Sequence, residues 1–175
     1  VFAAEPKSEK AAVKVRIKQS IVHWCFASHW SVEETAQVAK KLGCQSIELV
    51  APEHWPTLKK YDLTCAIASI NVAPDPPFAK GFNNPKHWPR VMKATKDAID
   101  AAAANGVNSV IAFTGMAHGL SDEEGLKNCD AGFMQIIGHA EKNKINLCLE
   151  MLNTRDDTHP MKGHPGYQGD HTDYC

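Results

Sequence analysis

The sequence predicts an α/β fold of the (β/α)8 TIM barrel type, with about the first five strand–helix units present. Three observations predict it. Short apolar segments alternate with amphipathic helical ones, the pattern of parallel strands joined by helices. The turn after the first strand reads Cys25-Phe26-Ala27-Ser28-His29-Trp30 and holds no glycine, which speaks against a dinucleotide-binding sheet and its G-x-G-x-x-G turn. No phosphate-binding P-loop occurs either.

The elements follow in order. Val15 to Cys25 is rich in apolar and β-branched residues and predicts the first strand. Ser31-Val32-Glu33-Glu34 is a capping box, in which hydroxyl and carboxylate satisfy each other's orphan amides. It opens a helix whose apolar face runs from Val32 to Leu42, with Gly43 placed for a left-handed cap. Ser46 to Val50 predicts a second strand, His54 to Lys60 a short helix, and Thr64 to Ile70 a third strand. The loop from there to Asn84 carries Pro74, Pro76, Pro77 and Gly81; loops of that length in a compact domain are usually functional or mobile. Asn84-Pro85 starts a long helix that ends at Asn105-Gly106. Asn108 to Phe113 predicts the fourth strand, a second capping box at Ser121–Glu124 opens a helix to about Asn143, and Ile145 to Glu150 predicts the fifth strand.

Composition bounds the function. The 175 residues are 43% hydrophobic and 22% charged, with 19 Lys and Arg against 20 Asp and Glu. That balance offers no basic excess for a phosphate backbone, so nucleic acid is not expected as a partner. No apolar run reaches the roughly 20 residues of a membrane span, so no membrane partner is expected. The start, Val1-Phe2-Ala3-Ala4, resembles the end of a signal-peptide cleavage site. It leaves two expectations open, an exported or periplasmic protein and a cytoplasmic one with an arbitrary terminus. Residues 1–13 read as a flexible leader, and 14–175 as the N-terminal part of one barrel domain. The six cysteines form no C-x-x-C pair, and those in strands read as free buried thiols.

A parallel barrel carries its active site at the C-terminal ends of the strands. The polar residues predicted there are His23 and Trp24, then Glu48, Asn71, Thr114 with His118 beyond it, and finally Glu150, Asn153, Arg155 and Asp156. Glu150 closes the apolar run Leu147-Cys148-Leu149. A carboxylate so placed must be paired, protonated or bound to a cation; the structural alternative is an ion pair with Arg155. Glu48 reads equally as an interior or a structural residue. His23 beside Trp24 reads as a core histidine or as a wall for a small polar substrate. The last segment, with His159, His164, Asp170, His171, Asp173 and Cys175, reads as a metal cluster or, given its glycines and prolines, as a hydrated loop able to serve as a lid.

The run Leu149-Glu150-Met151-Leu152-Asn153-Thr154-Arg155-Asp156 resembles the fifth-strand motif of hydroxypyruvate isomerases, in which Glu is followed by Pro, an apolar residue, Asn, Thr and Arg. Gln45-Ser46-Ile47-Glu48-Leu49 resembles their second-strand motif. The wider group is the xylose-isomerase-like barrel superfamily of sugar isomerases and epimerases. The resemblance implies a (β/α)8 barrel with one divalent metal ion (Mg, Mn or similar) held by four residues on strands five to eight. Only the first of the four, Glu150, maps here, as metal ligand and catalytic carboxylate. Arg155 and Asp156 fall where related epimerases contact substrate, and Met151 departs from the motif's proline. The remaining ligands are expected beyond Cys175, since a complete barrel needs roughly 250 residues. Five strands leave sheet edges open to association, so homo-oligomers are expected as one outcome. The implied reaction is isomerisation of a small hydroxy-carbonyl compound or sugar. Sugar 3-epimerase and inosose dehydratase activity are alternatives on the same scaffold. A truncated half-barrel that serves only for binding or assembly is the non-enzymatic reading.

Overall fold

A computed structural model describes residues 17–158 and 162–175. The leader expected over 1–13 lies outside these residues, as do Val15 and His159. Five parallel strands form the sheet: β1 (Ser20–Val22), β2 (Ser46–Glu48), β3 (Thr64–Cys65), β4 (Ser109–Phe113) and β5 (Asn146–Glu150). β1, β2 and β3 make one ladder and β4 with β5 a second. Ala68 joins the two: its amide donates to the Ser109 carbonyl at 2.9 Å, and its carbonyl accepts from the Ile111 amide at 3.0 Å. Each strand therefore lies beside the next one in sequence. A barrel wall has this order, whereas a doubly wound sheet reverses at a switch point. Among the described residues the strands do not close on themselves, and β1 and β5 each pair on one side only.

The helices start where local chemistry starts them. In α1 (Val32–Leu42) the Ser31 hydroxyl accepts from the Glu34 amide, and the Glu34 carboxylate accepts from the Ser31 amide. Gly43 ends the helix at φ 80°, a conformation open to glycine without Cβ strain. We expect Ser31→Ala to cost about 1 kcal/mol, read as a lower urea midpoint at unchanged slope. A 3-10 turn, Pro52–His54, leads into α2 (Trp55–Lys60), where the Trp55 indole donates to the Val50 carbonyl at 2.8 Å. A second 3-10 turn, Pro85–His87, capped by Asn84, leads into α3 (Trp88–Asn105). Two helices follow β4, namely α4 (Asp122–Met134) and α5 (Ile137–Asn143). Ile47, Leu58, Leu63, Ile99 and Val110 are fully buried in the main core. Among the described residues no helix is long and apolar enough to cross a membrane.

Four expectations about elements need correction. The first strand stops at Val22 because the chain folds at once into turns closed by Phe26 amide to His23 carbonyl (2.8 Å) and Trp30 amide to Phe26 carbonyl (2.8 Å). The second stops at Glu48 because Leu49 takes φ 57°, and the third reduces to Thr64–Cys65 plus the bridge at Ala68. The single helix expected up to Asn143 is two. The break at Gln135 and Ile136 lets Ile136 bury completely against Phe82, Val91, Ala112 and Cys129, and a fully buried side chain of that size is worth about 1.5–3 kcal/mol.

Candidate active site at the strand ends

A cavity of about 360 Å³ opens at the C-terminal ends of the strands. Each strand brings one residue to it: Trp24 after β1, Leu49 after β2, Ser69 after β3, Phe113 at the end of β4 and Glu150 at the end of β5. Pro77 and Phe78, from the long loop after β3, and His164, from the segment after β5, complete the wall. Phe78 and His164 meet edge to face with ring centroids 4.3 Å apart. The lining is aromatic and apolar around a few polar groups, the usual make-up of a small-molecule site.

Glu150 is the half-buried carboxylate of this cavity. Burial holds its pKa above the ordinary carboxylate value, and the negative charge of Glu48 pushes it the same way. Glu48 itself accepts a hydrogen bond from the Ser20 hydroxyl. No ion pair joins Glu150 to Arg155 among the described residues, so the structural alternative for Glu150 finds no support there. The backbone around Glu150 is locked. The Tyr167 phenol donates to the Glu150 carbonyl at 2.9 Å and accepts from the Thr114 amide at 3.0 Å. Burial pushes that phenol up to about 12, so it stays protonated and able to donate.

Tyr167 belongs to the segment expected as a hydrated loop, and that expectation needs correction. Tyr167, Gln168 and Tyr174 are buried. Asn83 donates to the Gln168 side-chain carbonyl at 2.8 Å and to the Met116 carbonyl at 2.9 Å. Gln168 in turn donates to the Ser121 carbonyl at 2.9 Å, and the Gly169 amide donates to the Thr114 hydroxyl at 2.9 Å. The segment thus docks across the ends of β4 and β5. The metal-cluster reading of the same segment also finds no support: among the described residues no three His, Cys, Asp or Glu side chains converge.

The other expected site residues are placed as follows. His23 shares a hydrogen bond with the Thr35 hydroxyl of α1 at 2.9 Å. Burial lowers its pKa, with a further push from His54. Its ring thus serves packing against α1 and does not line the cavity. Asn71 is exposed and accepts from the Ala73 amide at 3.1 Å, a turn within its own loop. Asn153 accepts from the Arg155 amide at 2.9 Å and donates to the Lys162 carbonyl at 3.0 Å. Asp156 accepts from the amide and hydroxyl of Thr158, which hold its carboxyl below the ordinary range. Arg155 is exposed. Asn71, Asn153 and Asp156 shape loops outside the cavity wall, because short polar side chains next to a strand end satisfy nearby backbone first, and Arg155 does not line the cavity either. Of the expected set, Trp24 and Glu150 line the cavity, and Glu48 acts on Glu150 through its charge. Phe78 and Tyr167 were missed, and His164 was expected only as part of a metal cluster or loop and not of this wall; the sequence signal for all three is an aromatic or His set among prolines and glycines.

Glu150 offers a divalent cation a hard oxygen donor. The charge that raises its pKa is that of another carboxylate, Glu48, a situation that a bound cation relieves. Glu150 therefore fits one place in a metal set, and the described residues do not provide the rest.

A family model for the xylose isomerase-like TIM barrel matches residues 36–170. The chain belongs to this family. The xylose isomerase-like fold is equally plain among solved structures. An AP endonuclease of family 2 from Brucella melitensis superimposes with TM-score 0.66 at 17% identity, over 87% of this chain and 59% of that one. The IOLI protein with a binding zinc atom gives 0.69 at 12% identity, over 90% and 56%. A D-psicose 3-epimerase from Clostridium cellulolyticum H10, solved with D-tagatose, gives 0.60 at 12% identity, over 81% and 55%. At such identities the likeness is one of fold. The chain spans a little over half the length of these relatives. No curated protein sequence matches it significantly. The fold class expected from the sequence, a TIM barrel type, is the one this xylose isomerase-like chain adopts; among the described residues it shows five strands, the first four followed by helices.

Proposed function

We propose that the chain contributes the first half of the mouth of a metal-dependent isomerase, hydroxypyruvate-isomerase-like, acting on a small hydroxy-carbonyl compound or sugar. One observation carries the reading: a half-buried carboxylate, Glu150, ends β5 inside a cavity otherwise walled by aromatic and apolar groups. Desolvation makes such a carboxylate a stronger base than one in water, which suits proton abstraction next to a carbonyl. Glu150 takes the proton from the hydroxyl-bearing carbon, leaving an enediolate, and returns a proton to the former carbonyl carbon, while the hydroxyl proton passes from the first oxygen to the second so that the carbonyl and hydroxyl exchange places. Trp24 and Phe78 form apolar walls of the cavity that would hold the substrate, and Tyr167 fixes the backbone that carries the base. A divalent cation held by Glu150, with donors from strands outside this chain, would supply charge stabilisation for the developing oxyanion.

The test is hydrogen exchange at carbon, followed by NMR in D2O with hydroxypyruvate and a panel of ketoses, on the protein expressed from its own gene. The expected result is carbon-bound deuterium on the atom next to the original carbonyl-adjacent position, dependent on Mg²⁺ or Mn²⁺ and lost with chelator. Deuterium returned to the same carbon with inverted configuration would replace isomerase by 3-epimerase, and loss of water would point to a dehydratase. No exchange on any substrate would leave the binding or assembly reading.

A further inference from the structure

The loop after β3 has two faces. One offers Pro77 and Phe78 to the cavity at the strand ends. The other, with the start of α3, encloses a separate pocket of about 150 Å³, to which Asp75, Lys80, Lys86, His87 and Arg90 contribute. Three permanent cations face one carboxylate there, an excess of two positive charges before any histidine is counted.

The pocket is built rather than incidental. Asp75 accepts from Lys80 Nζ at 2.8 Å and from an Arg90 guanidinium nitrogen at 2.8 Å. The other Arg90 nitrogen donates to the carbonyls of Val72 and Ala73. Asp75 thus holds two cations in fixed places and consumes only one charge. Lys86 shares in none of these bonds. The His87 ring nitrogen Nδ1 is buried and has no hydrogen-bond partner among the described residues. An orphaned buried polar atom is costly, and a neutral imidazole can present Nδ1 as a donor. Burial lowers the His87 pKa, and Lys80, His118 and Lys86 push it the same way against Asp75, which agrees with a positive field across the pocket.

We propose that this pocket binds a phosphate group, with Lys86 as the contact still to be made, Lys80 and Arg90 as the pre-positioned cations, and the His87 ring as part of the lining. A tetrahedral dianion matches the double charge excess, and the pocket is too small for a nucleotide. The group is either free phosphate or the phosphate of a monoester. The proposal does not depend on the isomerase reading, because it is read by binding and not by turnover.

The experiment is a titration of the protein with inorganic phosphate in about 0.15 M NaCl, where exposed charges are screened, following the His87 ring resonances by NMR. We expect saturable shifts with Kd in roughly the millimolar range or tighter. Lys86→Glu should weaken binding about tenfold or more, the effect of losing a charge-assisted hydrogen bond. Lys40→Glu, the same charge change on α1 outside the pocket, should leave it unaltered. Shifts that never saturate, or equal weakening by both variants, overturn the site. A hexose 6-phosphate run in parallel separates the sources. Tighter binding than phosphate, weakened alike by Lys86→Glu, assigns the site to a phosphate monoester, and equal binding assigns it to the free ion; both outcomes uphold the pocket.

Discussion

On the proposed isomerase reading, Glu150→Gln is expected to lower turnover by roughly two to four orders of magnitude, the range set by loss of a positioned general base, while the fold stays intact. The fold survives because Tyr167 grips the backbone carbonyl of residue 150 and not its side chain. The same substitution makes the protein more stable at neutral pH. A carboxyl whose pKa is raised on folding binds its proton more readily in the folded state. Its stabilising contribution is in full force below the ordinary value of 4.5 and is lost as pH rises through the folded value. Above that folded value the wild type carries a half-buried charge, beside Glu48, which the amide lacks. Thermal unfolding in chelator should show the variant melting higher at pH 7, with the gap closing towards pH 4. Unchanged turnover would remove Glu150 from the chemistry; a variant that melts lower at pH 7 would mean that the carboxylate has a partner that stabilises it.

Gly81→Ala destabilises the chain by about 3 kcal/mol, lowering Tm by roughly 6–12 °C. A Cβ on Gly81 would stand 2.2 Å from the Thr114 carbonyl oxygen and 2.5 Å from the Gly115 nitrogen. Both are backbone, at the point where the flanking amides of Phe82 and Asn83 bond to the carbonyls of Phe113 and Thr114 at 3.2 and 2.8 Å. Neither side can yield without breaking that seam between the β3 loop and the end of β4. The displaced loop also carries Phe78, so substrate affinity should fall with stability. Differential scanning calorimetry decides the point: a Tm within 1 °C of wild type would mean that the two backbones are not in close approach.

Much of the architecture was legible because it depends on local chemistry. Ser31 with Glu34, Gly43, Asn84 and Gly106 mark helix ends by their own hydrogen bonds and dihedrals, and the apolar runs around Ile47, Val110 and Leu147 mark strands. What depends on distant partners was not legible. Leu49 leaves the ladder at positive φ, Ile136 breaks a helix to reach Phe82 and Cys129, and Gln168 finds Asn83 across 85 positions of sequence. The site divides in the same way. Glu150 stood out because an apolar run ended on a charge. Asn71, Asn153 and Asp156 looked similar but use their oxygens on adjacent amides. His164 and Tyr167 looked like loop residues because their role comes from packing against Phe78 and Thr114.

Among the described residues the two ladders are joined by a single residue. Ala68 supplies both hydrogen bonds that tie β3 to β4, whereas β4 and β5 run in register over five residue pairs. Cooperative opening follows the density of such ties. The β4–β5 half should hold its amide protons longest, and the β1–β3 half should exchange as a separate unit of lower free energy. The hinge between the two rates falls at Ala68, so a slow-breathing half carries Glu150 while a faster one carries Trp24.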